Sequence, residues 1–250
     1  MNYSVVITTF DKRFHEFLIP LVKSIKIERP GIEIIVMANG ACRADFNENY
    51  RQELLSFLAT QQNCFLTVFP TFQSLAKMWN RGILTASSEQ VLVLNDDLHI
   101  ATGLENGFFD QLEATLANNA GTFKINGSFS HFVISKRDLI EVGFFDERLL
   151  GLGEEDGDFY WRYHEKLERE IPSINLSHID NVCSDIADSG YTKGIRTAAK
   201  FNRDYIKYKK YKEVLIGGYR GMFDKRVKKQ TPDEKQYPYE VFYRENKDKV

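Results

Sequence analysis

Cysteine is scarce in this sequence. There are three, Cys42, Cys64 and Cys183, an odd number set far apart, with no C-x-x-C among them. That argues against a disulfide framework and against a cysteine zinc site, and makes a reducing cytoplasm the default compartment. Long apolar runs are missing too: nothing approaches the roughly 18 residues needed to cross a bilayer. The first ten residues carry no positive region and only a brief apolar run, so they read as a first strand and not as a signal peptide. There is no G-x-G-x-x-G and no Walker loop, so any bound phosphate is held without a glycine cradle. No single sign of charge dominates. A net charge of -2 over 250 residues argues against nucleic acid as a partner. Internal repeats and low-complexity tracts are absent.

What is present is an ordinary soluble composition, 43% apolar and 27% charged, in a chain whose length fits one large α/β domain or one domain plus an extension. The charge is unevenly spread. Residues 191–250 hold 17 Lys+Arg against 8 Asp+Glu, a balance of +9, which leaves the body at -11. Tyr205, Tyr208 and Tyr211 alternate there with Lys207, Lys209, Lys210 and Lys212. This basic end has three readings: a solvated helical face, a surface for anionic lipid headgroups, or, last, a nucleic-acid surface.

The first hundred residues alternate strand and helix. Strands are expected at Tyr3–Thr9, Glu33–Ala38, Phe65–Phe69 and from Val91, with helices at Phe14–Glu28, Asn47–Gln61 and about Ser74–Thr85. Pro20 belongs in a first helical turn. Four such alternations describe a parallel, Rossmann-like nucleotide-binding half. The second half is less regular. It reads as helices at Leu104–Ala117, Lys136–Val142 and Asp156–Leu167, with strands at Phe132–Ser135 and Pro172–His178. The spacing pairs Asp158 with Arg162 one helical turn on.

The central stretch is Val91-Leu92-Val93-Leu94-Asn95-Asp96-Asp97. Four apolar β-formers run into two carboxylates, the pattern of a strand buried on both faces that delivers its acids at the carboxyl end, where open α/β sheets place ligands. Two carboxylates there suit magnesium or manganese, and through the metal a diphosphate. The alternative is a polar turn.

In this order, several blocks resemble a family 2 glycosyltransferase of the GT-A fold. They are Tyr3–Phe10, Glu33–Ala41, Asn80-Arg81-Gly82-Ile83, Leu94-Asn95-Asp96-Asp97, Gly143-Phe144-Phe145-Asp146-Glu147 and Gly153-Glu154-Glu155-Asp156-Gly157-Asp158. Together they cover about residues 3 to 180. Two positions depart from the family pattern. Ala38 stands where members often carry an Asp that contacts the base, and Asn95 stands first in the DxD-type motif.

The resemblance implies an α/β, GT-A (Rossmann-like) nucleotide-diphospho-sugar transferase fold. A mixed central sheet flanked by helices would occupy 1–195, and a basic Tyr/Lys-rich extension 196–250. It implies an inverting, metal-dependent, hexosyltransferase-type enzyme of bacterial surface polysaccharide synthesis. Such an enzyme would be cytoplasmic, with peripheral contact to an anionic membrane. It would take a nucleotide-sugar donor and a glycan or lipid-linked saccharide acceptor. Asp97 and His178 are the expected ligands of manganese or magnesium. Thr8, Asn39, Asn80 and Asp96 are expected on the nucleotide, Asp96 orienting ribose or metal-bound water. Asp156 is the expected base, with Glu155 holding the acceptor. His131 is a weaker candidate for the acceptor pocket. Trp79 and Trp161 read as core. Two rivals remain: a nucleotidyltransferase acting on sugar phosphates, which would usually want glycine in the loop from Thr8 to Arg13, and a non-catalytic nucleotide- or sugar-binding protein.

Overall fold

A computed structural model of the chain describes residues 3–10, 13–40, 45–182, 191–210 and 244–246. They fall into two compact units. The first takes residues from 1–72, 78–141 and 171–184; the second takes them from 73–77, 142–170 and 185–250.

The first unit is built on a mixed sheet. Its strands are β1 (Tyr3–Phe10), β2 (Ile34–Asn39), β3 (Cys64–Val68), β4 (Gln90–Asn95), β6 (Phe123–Ile125), β7 (Ser128–Ser135) and β8 (Ser173–Ile174), and β5 (Leu98–Ile100) lies apart. The sheet order is β3-β2-β1-β4-β7-β6-β8. Strands β1, β2, β3 and β4 run parallel, and β7 pairs antiparallel to β4. Val5, Val6, Ile7, Leu92 and Leu94 are fully buried, as strands covered on both faces require.

One face is covered by α1 (Ile19–Glu28), α2 (Glu48–Ala59) and α4 (Phe108–Asn118), whose Leu21, Val22, Leu54, Phe108 and Leu112 share a core with Val5, Ile7, Val36 and Leu92. A π-helical turn, Phe14–Leu18, feeds α1, and Pro20 lies in the first turn as expected. Asn47 caps α2 by accepting from the backbone N–H groups of Asn49 and Tyr50. On the opposite face, α3 (Leu75–Thr85) packs through Gly82. A Cβ there would stand 2.5 Å from Val6 Cγ1, so only glycine lets the helix come this close. Trp79 is buried edge-on against Phe132.

The expected strand Pro172–His178 is broken. Only Ser173–Ile174 joins the large sheet. A separate strand, β9 (Ile179–Asn181), pairs with β5 as a two-stranded ribbon. Strands β5 and β6 are three residues each, too short to show a period. The helix expected from Leu104 starts at Phe108, after Gly107.

The second unit contains α6 (Glu155–Leu167) and α7 (Tyr191–Tyr205), and α7 runs on into a π-helical turn, Ile206–Lys210. The boundary expected at 195/196 falls inside α7. Several described residues beyond it, Ala198, Asn202, Tyr205 and Ile206 among them, are buried in this unit. Asn202 is buried, accepts from the N–H of Leu150, and donates to the carbonyls of Leu150 and Gly153. Tyr205 and Lys210 point inward as well, while Thr197, Lys200, Arg203 and Asp204 are exposed, so the described part of the basic end has both a buried and a solvated face. Tyr211, Lys212 and most of the expected extension lie outside the described residues. Helix α5 (Lys136–Val142) matches its expected bounds. Among the described residues no helix is long and apolar enough to cross a membrane.

Candidate active site

The carboxyl ends of β1, β2 and β4 meet along one edge of the sheet. The register sets Thr8 beside Asn95 and Phe10 beside Asn39. Thr8 Oγ1 donates to Asn95 Oδ1 at 3.4 Å, and Asn39 Oδ1 accepts from the N–H of Gly40. A Cβ on Gly40 would lie 2.8 Å from the backbone of Thr71, so glycine is needed for the chain to pass there. The cofactor-side candidates Thr8, Asn39 and Asp96 therefore share this edge. Asn80 lies buried mid-way along α3.

Asp96 and Asp97 form the turn after β4. Both are largely shielded, with side chains 4% and 14% exposed. Arg13 lies across them: Nε is 2.7 Å from Asp96 Oδ1, and Nη2 is 2.6 Å from Asp97 Oδ2. Its guanidinium sits 5.4 Å from the centre of the Phe10 ring and 4.9 Å from that of Phe17. Each carboxylate keeps one buried oxygen with no hydrogen bond, Asp96 Oδ2 and Asp97 Oδ1. Burial pushes the Asp96 carboxyl up to about 7; Arg13 and the Thr9 hydroxyl pull it down, and the Asp97 charge pushes it up again.

His131 enters from β7, where it stands opposite Leu94. Its Nδ1 meets Ser130 Oγ at 2.8 Å, and its buried Nε2 has no hydrogen-bond partner. Burial lowers its pKa, and the nearby Asp97 charge partly opposes this. His178 is placed elsewhere. It is exposed, adopts φ 67°, and its carbonyl accepts from Ala101 at the far end of the β5–β9 ribbon. The backbone that reaches Asp97 is that of Val182, whose N–H donates to the Asp97 carbonyl. The expected pairing of Asp97 with His178 is thus corrected: the ribbon's register carries His178 away from the acids, and the histidine beside them is His131.

No set of three or more His, Cys, Asp or Glu side chains placed to share a metal occurs among the described residues. Two carboxylates still fit a magnesium- or manganese-type cation, which commonly takes one or two carboxylates and completes its shell with water and substrate phosphate. The bare oxygens of Asp96 and Asp97 are the donors such an ion requires. Arg13 and Thr9 are the site residues that sequence reasoning passed over. The only signal for Arg13 was its place in the short loop after β1.

In the second unit, α6 begins with its acids. Glu154 takes the N-cap position at φ 77° and pairs with Arg203 at 3.2 Å. Glu155 is buried and accepts from the N–H of Gly153 at 2.6 Å. Burial and the neighbouring Asp156 push its carboxyl up to about 8, so it is protonated at neutral pH. Asp156 is half-buried and accepts from the N–H of Gly157. Asp158 pairs with Arg162, as the spacing predicts.

The sheet, its mixed strand directions and the flanking helices are those of the GT-A glycosyltransferases. Residues 108–214 match the model of a family described as glycosyltransferase-like family 2. No curated protein sequence matches the chain. GalNAc-T7, solved with UDP, GalNAc and Mn2+, is similar in fold at TM-score 0.60 and 12% identity, over 99% of this chain and 55% of its own. Glucosyl-3-phosphoglycerate synthase from Mycobacterium tuberculosis, solved with Mn2+, UDP and its product, gives TM-score 0.54 and 13% identity over 80% of this chain and 79% of its own. TarS from S. aureus gives TM-score 0.54 and 13% identity over 82% of this chain, which spans 44% of the TarS chain. In sequence and fold, then, the chain is similar to the family 2 glycosyltransferases, and it has their GT-A fold.

Proposed function

We propose that this protein is an inverting, hexosyltransferase-type glycosyltransferase that moves a sugar from a nucleotide-sugar donor to an acceptor hydroxyl. The observation that carries this reading is the shielded Asp96–Asp97 pair at the carboxyl end of the central strand, with one bare oxygen on each acid. Those oxygens would hold a divalent cation, manganese or magnesium. When bound, it supplies Lewis-acid neutralisation of the charge that grows on the departing diphosphate. Support comes from proteins of similar fold that were solved with Mn2+ and a nucleotide or nucleotide-sugar.

The chain's own residues have assigned parts. Thr8 and Asn39, at the ends of β1 and β2, line the nucleotide edge, and Asn80 holds backbone near the diphosphate. Asp156 takes the acceptor's proton. The freed oxygen bonds the anomeric carbon from the side opposite the diphosphate, whose bond to that carbon breaks with the electron pair. Asp156 suits the role better than Glu155. A protonated carboxyl cannot accept a proton, and the Glu155 carboxyl is pushed up to about 8. Glu155 instead donates a hydrogen bond to the acceptor.

The acceptor we propose is a glycan or lipid-linked saccharide in bacterial surface polysaccharide assembly. Synthesis takes place in the cytoplasm, with the basic end of residues 191–250 meeting anionic headgroups. The test is a thermal-shift panel of UDP, GDP, CMP and dTDP with and without Mn2+. Stabilisation by one nucleotide only in the presence of metal is the expected result. Folded Asp97→Asn and Asp156→Asn variants that keep full sugar transfer would overturn the proposal.

A further inference from the structure

The acid pair already carries a cation, and the chain supplies it. Arg13 contacts one oxygen of each carboxylate at 2.7 and 2.6 Å, and its own side chain is 10% exposed. Two aromatic rings, Phe10 from the end of β1 and Phe17 from the π-helical turn, lie within 5.4 Å of the guanidinium. This is a fitted seat for a planar cation. Arg13 opens the π-helical turn as its N-cap, so its backbone is anchored to α1.

Two shielded carboxylates side by side repel each other, and burial penalises the Asp96 charge. A cation on the pair relieves both costs. Arg13 does this without metal, but uses only Asp96 Oδ1 and Asp97 Oδ2 and leaves the partner oxygens bare. A divalent ion on the bare oxygens would place a second positive charge within a few ångströms of the guanidinium. Like charges that close in a shielded site repel strongly.

We infer that Arg13 is a tethered counter-ion that competes with the divalent cation for Asp96 and Asp97, closing the site until metal and donor arrive together. This rests on the reading of the acid pair as a metal seat. The guanidinium must leave its two carboxylates when the ion enters. A diphosphate gives it a new bidentate partner, so the exchange is easy with donor present and costly without it. The device makes metal binding dependent on the nucleotide. The protein does not sit charged with metal and idle.

The test reads metal binding directly. Free Mn2+ is titrated by electron paramagnetic resonance into full-length protein without nucleotide, for wild type, Arg13→Met, and Arg13→Met combined with Asp97→Asn. Arg13→Met keeps much of the side-chain volume between Phe10 and Phe17 and removes the charge. The expected result is Mn2+ binding at least about tenfold tighter in Arg13→Met than in wild type, the size of an ordinary coupling between two sites. The gain should vanish when Asp97 is also replaced. With the fitting nucleotide present, the difference should shrink. Equal, weaker or absent binding in Arg13→Met overturns the inference, and so does a gain that survives Asp97→Asn. Arg13→Gln is the second neutral variant should the first not fold. Sugar transfer is measured separately. A protein that binds Mn2+ as expected and transfers nothing fails the functional proposal alone. One that transfers sugar with a metal affinity indifferent to residue 13 fails only this inference.

Discussion

Each unit of the molecule shields a pair of acids from solvent, and the two pairs are treated in opposite ways. In the second unit Asp146 and Asp158 are saturated. Arg148 holds Asp146 through both carboxylate oxygens, Arg162 holds Asp158, and the Lys210 ammonium donates to both acids at 2.8 Å. Burial alone would raise both carboxyls, but Lys210 with Arg148 and Arg162 outweighs it and leaves both lowered. In the first unit Asp96 and Asp97 share one guanidinium, one oxygen of each is bare, and burial wins at Asp96, pushing it up to about 7. Burial and charge pairing are common to both. What separates structural acids from a ligand site is the number of lone pairs left over.

Breaking the saturated cluster should do the most damage. Lys210→Met leaves an oxygen of Asp146 and one of Asp158 buried without their ammonium, and should lower unfolding stability by about 3 kcal/mol in urea titration. Arg13→Met should cost less stability, since Asp96, its carboxyl already pushed up to about 7, can take up a proton when the guanidinium is gone. If both variants cost the same, the contrast between the clusters is lost.

Asp97→Asn should leave the melting temperature nearly unchanged and lower kcat for sugar transfer by roughly 10²- to 10³-fold, the scale for removing one charge-stabilising group. Asp158→Asn, in the other cluster, should show the reverse pattern, with its loss in stability.

A third test uses pH. Glu155 has its carboxyl pushed up from the ordinary 4.5 to about 8. The folded state therefore binds its proton more tightly than the unfolded state. Its stabilising contribution is full below about pH 4.5 and fades as pH rises through about 8. Glu155→Gln cannot ionise, so the variant's melting temperature relative to wild type should climb between about pH 5 and about pH 9. A pH-independent difference would mean that Glu155 ionises normally when folded.

The smallest effects separate the two histidines. His131→Asn should weaken Mn2+ binding by roughly 10-fold, as loss of a supporting group around a metal typically does. His178→Asn, on the exposed end of the ribbon, should change neither binding nor stability beyond about 0.5 kcal/mol. The opposite ranking would restore the histidine that the sequence favoured.

Much of this is legible in the sequence. The apolar run Val91–Leu94 announces a strand buried on both faces, and the acids after it must fall at its carboxyl end. Pro20, Asn47 and the Asp158–Arg162 pair speak through neighbours within one helical turn. Strands β5 and β6, at three residues, were too short to carry a period. Lys210 looked like one more exposed lysine in a basic run.

Local order is written in local sequence, because periodicity, caps and turns involve residues a few positions apart, and those alone determined the alternation of strands and helices and the end of the strand where the acids lie. Which cation answers which acid was decided by tertiary structure. Lys210 reaches Asp146 across 64 positions, and Arg13 meets Asp96 and Asp97 because β1 and β4 are neighbours in the sheet. His131 comes to lie near Asp97 for the same reason, through the pairing of β7 with β4. Strand order and register set which side chains share a space, and no run of residues contains that order within itself.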